Sequence, residues 1–137
     1  LSEYLTPLCS PLLLKKGDGL RELKDLAQHT LLHDNTRGAW KSWLREFGIK
    51  DINVNHGPIF SHTMLVLQSA SIGQGVALSD TVLAKPDIDS GRLVCPFEER
   101  IESKLSHYLV CKEHQADQSK IKVFSQWMLD EVSDLNL

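Results

Sequence analysis

The residues best able to hold a metal or attack a substrate are six histidines, at positions 29, 33, 56, 62, 107 and 114, and three cysteines, Cys9, Cys95 and Cys111. Their spacing favours neither chemistry. No HxH, HExxH or CxxC pair occurs, so a metal site would have to assemble from distant positions, and none is expected. An odd number of cysteines without ligand spacing fits reduced thiols in a cytoplasmic protein. Their neighbours Leu8, Val94 and Val110 are apolar, which predicts small buried core residues. A catalytic serine lacks its setting too: there is no GxSxG, and Ser10 before Pro11 is not a nucleophile elbow. Glu98, Glu99 and Glu102 read as a solvated run, not as two carboxylates in distinct environments. Gly73-x-Gly75 lacks the third glycine of a dinucleotide fingerprint and follows a helix instead of a strand, so a helix stop and a tight turn account for both glycines. No catalysis and no cofactor are expected. Ser61 stands apart, because it opens a predicted helix whose unpaired N–H groups suit an anion. Contact with a ligand and simple capping of that helix are both compatible with its position.

The elements that would position these residues alternate between short apolar runs and helical patterns, the mark of an α/β sheet domain. Tyr4 to Cys9 reads as a strand ended by Ser10-Pro11. Asp18 is placed to cap a helix from Leu20 to Gln28 with an apolar face of Leu20, Leu23, Leu26 and Ala27. Thr30 to His33 follows as a strand. Asn35 and Thr36 can cap the helix Gly38 to Phe47, where Trp40, Trp43, Leu44 and Phe47 share one face and Gly48 is the stop. That shared face makes core packing the default for both tryptophans. Ile52 and Val54 alternate as in a half-buried strand. A helix from Ser61 to about Ile72 ends at Gly73, and Val76 to Leu78 reads as a buried strand. Thr81 to Ala84 is a brief helix closed by Pro86, and Arg92 to Cys95 a strand. Leu105 to Cys111 is the strongest strand pattern in the chain. A last helix, capped by Ser119, buries Ile121, Phe124, Trp127, Met128 and Val132, and the tail after Ser133 frays.

Six of these patterns, in order, resemble the C-terminal part of LysR-type transcription regulators. They are Tyr4-Leu-Thr-Pro-Leu-Cys-Ser-Pro-Leu-Leu, Leu23-Lys-Asp-Leu-Ala-Gln-His-Thr-Leu-Leu-His33, Trp40-x-x-Trp43, Ala70-Ser-Ile-Gly-Gln-Gly-Val-Ala-Leu78, Gly91-Arg-Leu-Val-Cys-Pro-Phe97 and Tyr108-Leu-Val. The Trp40-x-x-Trp43 pair is similar to the subgroup that contains the glycine-cleavage activator. The resemblance implies a type II periplasmic-binding-protein fold: two α/β subdomains joined by two crossover strands, with a small molecule bound between them. It places the crossovers near Leu32-His33-Asp34 and Ser106-His107-Tyr108. Residues 34–106 then form a complete second subdomain, and residues 1–33 and 107–137 part of the first. The start of that first subdomain and the DNA-binding head are expected to lie outside this chain.

On this mapping the effector contacts are expected to be Ser61, His33, Asp34, Thr36, Phe60 and Trp40. The family carries Ser or Thr at the place of Ser61, while His33 and Asp34 fall at the first crossover. A hinge or surface role serves His33 and Asp34 equally well, and a capping role serves Thr36. For Phe60, core burial is the alternative to lining the mouth of the cleft. The resemblance also implies a side-by-side dimer surface on Met64, Leu65, Gln68, Val76 and Leu78. This chain is expected to give either a weakened dimer or a different, non-physiological pairing, with the intact regulator a homodimer or tetramer.

Composition agrees with a single globular domain. Of 137 residues, 42% are hydrophobic and 24% charged, and the net charge of −3 argues against direct binding to DNA, whose phosphates reward a basic surplus. DNA contact is therefore expected only through the head. No membrane span or signal peptide is visible. The expected function is sensing a small, anionic metabolite as the effector-binding part of a regulator. The alternatives are a stand-alone solute-binding module of the same fold, against which the unpaired cysteines count, and an enzyme built on it.

Overall fold

The computed structural model describes residues 4–15, 19–103 and 108–133. Its centre is a five-stranded mixed sheet in the order β3-β2-β4-β1-β5. The strands are β1 (Tyr4–Leu8), β2 (Leu31–Asp34), β3 (Ile59–Phe60), β4 (Val76–Asp80) and β5 (Ile101–Glu102). β2 runs parallel to both β3 and β4, while β1 is antiparallel to β4 and β5. The helices are α1 (Pro11–Leu14), α2 (Gly38–Glu46), α3 (Thr63–Ser71), α4 (Thr81–Asp89) and α5 (Ser119–Ser133), with short 3-10 turns at Leu23–Gln28 and Glu113–Gln115.

Because side chains alternate along a strand, the sheet has two faces and two cores. On one face Leu31, Val76, Leu78 and Cys9 pack with Leu20, Leu26, Trp40, Trp43 and Leu44. On the other, Leu8, Leu32 and Ala77 pack with Val66, Leu67 and Ala70 of α3 and Ala84 of α4. The two tryptophans fasten α2 to the sheet by more than area. Trp40 Nε1 donates to the Leu32 carbonyl (3.0 Å) and Trp43 Nε1 to the Leu5 carbonyl (3.1 Å), so neither indole leaves a buried N–H unpaired. Their rings meet edge to face with centroids 6.1 Å apart.

Glycine is required where β3 and β4 start alongside the beginning of β2. Gly57 has φ 97°, and a Cβ there would stand 2.0 Å from the Leu31 carbonyl oxygen. Gly75 leads into β4 so closely that a Cβ would stand 2.3 Å from the Thr30 carbonyl oxygen. Gly73, at φ 81°, ends α3 as the sequence predicts.

Several expectations need correction. The helix predicted over Leu20 to Gln28 is a 3-10 turn, held by the Asp25 carboxylate, which accepts from the N–H groups of Arg21 and Glu22. The proposed cap Asp18 lies outside the described residues. Ile52 and Val54 do alternate in burial but join no strand, because they pack against the α2 core from a loop. Arg92 to Cys95 contributes a single bridge, Val94 to Cys9, instead of a strand. Pro86 does not close α4, which runs through it to Asp89 because Ala84 and Ile88 anchor both halves to the sheet. Only Cys9 is buried; Cys95 and Cys111 are exposed.

The C-terminal expectations change most. Of the strand predicted over Leu105 to Cys111, residues 105–107 lie outside the described residues, as does the tail after Ser133. Tyr108 to Cys111 are exposed and not in a strand, for they pair with no neighbour among the described residues. α5 forms where predicted, yet none of its residues is buried, so Phe124 and Trp127 stay about half exposed. Ser119 is the first residue of that helix instead of a cap before it. β1 and β2, which the expected boundary at residue 33 assigns to the first subdomain, lie on either side of β4 in one sheet.

Candidate functional site

The parallel strands β2, β3 and β4 all end on one edge of the sheet, where open α/β sheets bind ligands. β2 ends at Asp34, and the chain turns through Asn35, whose φ of 54° is one that asparagine tolerates better than most residues. The Asn35 N–H donates to the Phe60 carbonyl (2.8 Å), joining the ends of β2 and β3. After β3 come Ser61 and His62, then α3; after β4, α4 begins at once. The N-termini of α3 and α4 therefore open on the same edge, and α2 likewise starts beyond β2.

Asp34 lies opposite Phe60 across the β2–β3 pair. Its Oδ1 accepts from Asn35 Nδ2 (2.8 Å), and its Oδ2 accepts from the Thr63 hydroxyl at the start of α3. Neutral donors thus fix the orientation of a half-buried carboxylate. On β4, two residues beyond the Leu32–Ala77 pair, Ser79 stands level with Asp34 on the same face. Ser79 is 2% exposed, and its Oγ has no hydrogen-bond partner among the described residues. The same holds for the buried Oγ1 of Thr81 in the first turn of α4. Asp80, between them, caps α4 by accepting from the Val82 N–H (2.6 Å).

The structure brings Asp34, Thr36, Phe60 and Ser61 to this edge and separates them from the other candidates. Ser61 is exposed and two residues before α3, so the capping alternative does not hold; its hydroxyl is 2.8 Å from His62 Nδ1. Thr36 accepts from the Gly38 N–H (3.4 Å), and Phe60 is half buried against the α3 side. Trp40, 1% exposed, cannot rim a cleft. His33 is also 1% exposed, because strand alternation turns it to the opposite face from Asp34. There its Nε2 donates to the His56 carbonyl (2.9 Å), while Arg37 Nη2 donates to the next carbonyl, that of Gly57 (3.0 Å). His33 is therefore a positioning residue: with Arg37 it clamps the loop that delivers β3. Burial pulls its pKa below the usual histidine value, and the nearby Arg37 charge pulls the same way.

The expected dimer residues divide likewise. Met64 (60% exposed), Leu65 (43%) and Gln68 lie on the outer side of α3. Val76 and Leu78 do not, being buried in β4, whose two edges are already occupied by β2 and β1. Sequence reasoning missed Thr63, Ser79 and Thr81. The available signal was Ser79-Asp80-Thr81 directly after the apolar run Val76-Ala77-Leu78, a polar cluster at a strand's carboxyl end. Among the described residues no group of histidine, cysteine or carboxylate side chains could hold a metal, and no helix is long and apolar enough to cross a membrane.

The LysR substrate binding domain model matches residues 1–133. The chain belongs to that family. As a LysR effector-binding domain it is 52% identical over 128 residues to the glycine cleavage system transcriptional activator of Escherichia coli strain K12, which covers 93% of this chain and 42% of that protein. It is 34% identical over 130 residues to the Haemophilus influenzae homolog of that activator, covering 95% and 43%. The chain thus spans about four tenths of the length of the curated relatives it matches. The AmpR effector binding domain from Citrobacter freundii superposes with a TM-score of 0.73 at 22% identity, over 97% of this chain and 65% of that one. The fold is therefore the type II periplasmic-binding-protein-like α/β fold of LysR effector domains, as expected.

Proposed function

We propose that this domain senses a small-molecule effector for a LysR-type transcription regulator and does so at the carboxyl edge formed by Asp34 to Thr36, Phe60 to Thr63 and Ser79 to Thr81. The observation that carries the reading is the convergence of the α3 and α4 N-termini on one strand edge, with buried hydroxyls there that no described residue pairs, in a chain of this family. About a third of the AmpR effector domain lies outside the matched part. We assign the opposing wall of the crevice to the corresponding part of the protein, together with the lobe to which α5 presents its apolar side. The role is regulatory and not enzymatic, DNA is bound by another part of the protein, and the protein works in the cytoplasm.

The effector acts through its differential affinity for two arrangements of the lobes, and hence of the subunits. The outer side of α3, with Met64, Leu65 and Gln68, is the self-association surface. Thermal-shift screening of metabolites against the full-length protein tests the reading, because a ligand specific for the folded state raises the melting temperature. A binder whose stabilisation is lost in Thr63→Val supports it; stabilisation unchanged by substitutions at this edge rejects it.

A further inference from the structure

The chemistry of the edge also specifies one end of the effector, an inference that rests on the sensing role proposed for that edge. Asp34 is half buried and receives two hydrogen bonds, both from neutral groups, Asn35 and Thr63. A carboxylate offers about four acceptor positions, so it retains capacity for further donors. No cationic side chain pairs with it among the described residues. Level with it on the same face is Ser79, 2% exposed, and β4 then leads directly into Thr81; among the described residues neither the Ser79 Oγ nor the buried Thr81 Oγ1 has a partner. The Thr63 hydroxyl spends its proton on Asp34 and presents lone pairs. A buried hydroxyl left unpaired costs stability, so native proteins match nearly all such groups. A carboxylate that no cation pairs with among the described residues, level with a hydroxyl acceptor on the neighbouring strand, matches a compact cation with several N–H donors.

We propose that Asp34, Ser79 and Thr81 receive the ammonium group of an amine-bearing effector. Asp34 supplies the charge, and the two hydroxyls complete the donor count of a primary ammonium, which has three N–H bonds and no acceptor. Guanidinium, with its planar fork, fits this set less well than a compact –NH3+. The anion-seeking α3 N-terminus then serves another part of the same molecule, so a purely anionic effector is not sufficient.

The test is isothermal titration of the full-length protein with two matched series: the common α-amino acids and simple aliphatic amines, and the same compounds with the amino group replaced by hydrogen or methyl. Binding by members of the first series, with at least about tenfold weaker binding by their amine-free partners, is the expected result. Asp34→Asn, which keeps the Thr63 contact, should lower the affinity for the amine about tenfold or more and erase the preference. Ser79→Ala should lower it severalfold while leaving the melting temperature unchanged or higher, because it removes an unpaired buried hydroxyl. That combination separates a ligand group from a structural one, since a Ser79 satisfied by a trapped water would lose stability and keep its affinity. Equal binding of the amine-free series, or Asp34→Asn without effect, overturns the ammonium assignment while the proposed sensing role stands. Absence of binding in both series overturns the two together.

Discussion

At the scale of residues, His33 and Asp34 show how one step along a strand separates two roles. Both sit at the end of β2, but His33 faces the α2 core and Asp34 faces α3. The period of two was legible in the sequence; which face would be covered by which helix was not, because that depends on how β2 pairs with β3 and β4. The depressed His33 pKa has a signed consequence. The unfolded chain takes up a proton near the ordinary value of 6.5 while the folded protein resists, so His33 supports stability above that pH and the support is lost as pH falls towards the folded pKa. Denaturant titrations of this chain between pH 7.5 and 5 should therefore show stability falling with acidification, and His33→Gln, which keeps a donor for the His56 carbonyl, should flatten that slope. Equal slopes would remove His33 from the acid response. The cysteines give a second reading at this scale. Burial pushes the Cys9 thiol up to about 12, whereas Cys95 and Cys111 are exposed. Ellman's reagent should titrate two thiols in the native chain and the third only after denaturation; a fast third thiol would mean that Cys9 is accessible.

At the scale of elements, periodicity located helices better than it located what covers them. The spacing of Trp40, Trp43 and Leu44 was enough to place α2 and its buried face, because the whole face packs on one sheet. The same kind of pattern in α5 placed the helix but not its burial, since burial depends on a surface that the helix itself does not encode. Ile52 and Val54 show a third case: alternate burial without a ladder, since a strand needs a partner and a loop does not. Gly57 sets the pairing of β3 with β2. Gly57→Ala combines an unfavourable φ with a clash against the Leu31 carbonyl, and should cost about 2–4 kcal/mol in chemical denaturation. A loss below about 0.5 kcal/mol, the range of neutral surface changes, would show that the loop relaxes freely. The outer side of α3 makes a prediction of a different kind. Leu65→Arg in the full-length protein should weaken self-association at least tenfold, by about 1.4 kcal/mol or more, in sedimentation equilibrium, without a comparable loss of melting temperature. An unchanged association constant would move the interface elsewhere.

At the scale of the whole molecule, the order of motifs along the chain was enough to identify the family, while the order of the strands within the sheet was not legible. β1 and β2 are inner strands of the same sheet as β4. The ordering of strands in space is set by long-range pairing, such as Leu8 with Ala77, that no local pattern reports. That pairing builds a lobe in which residues 31 to 36, 59 to 63 and 79 to 82 end on a common edge, and this convergence is the central claim. Hydrogen–deuterium exchange of the full-length protein, with and without the tightest metabolite found by screening, tests it most directly. Slower exchange confined chiefly to peptides spanning 34–38, 61–66 and 79–83 is the predicted result. Protection centred instead on α5, or on the α2 side around Trp40 and Trp43 with those three segments unchanged, would contradict the account.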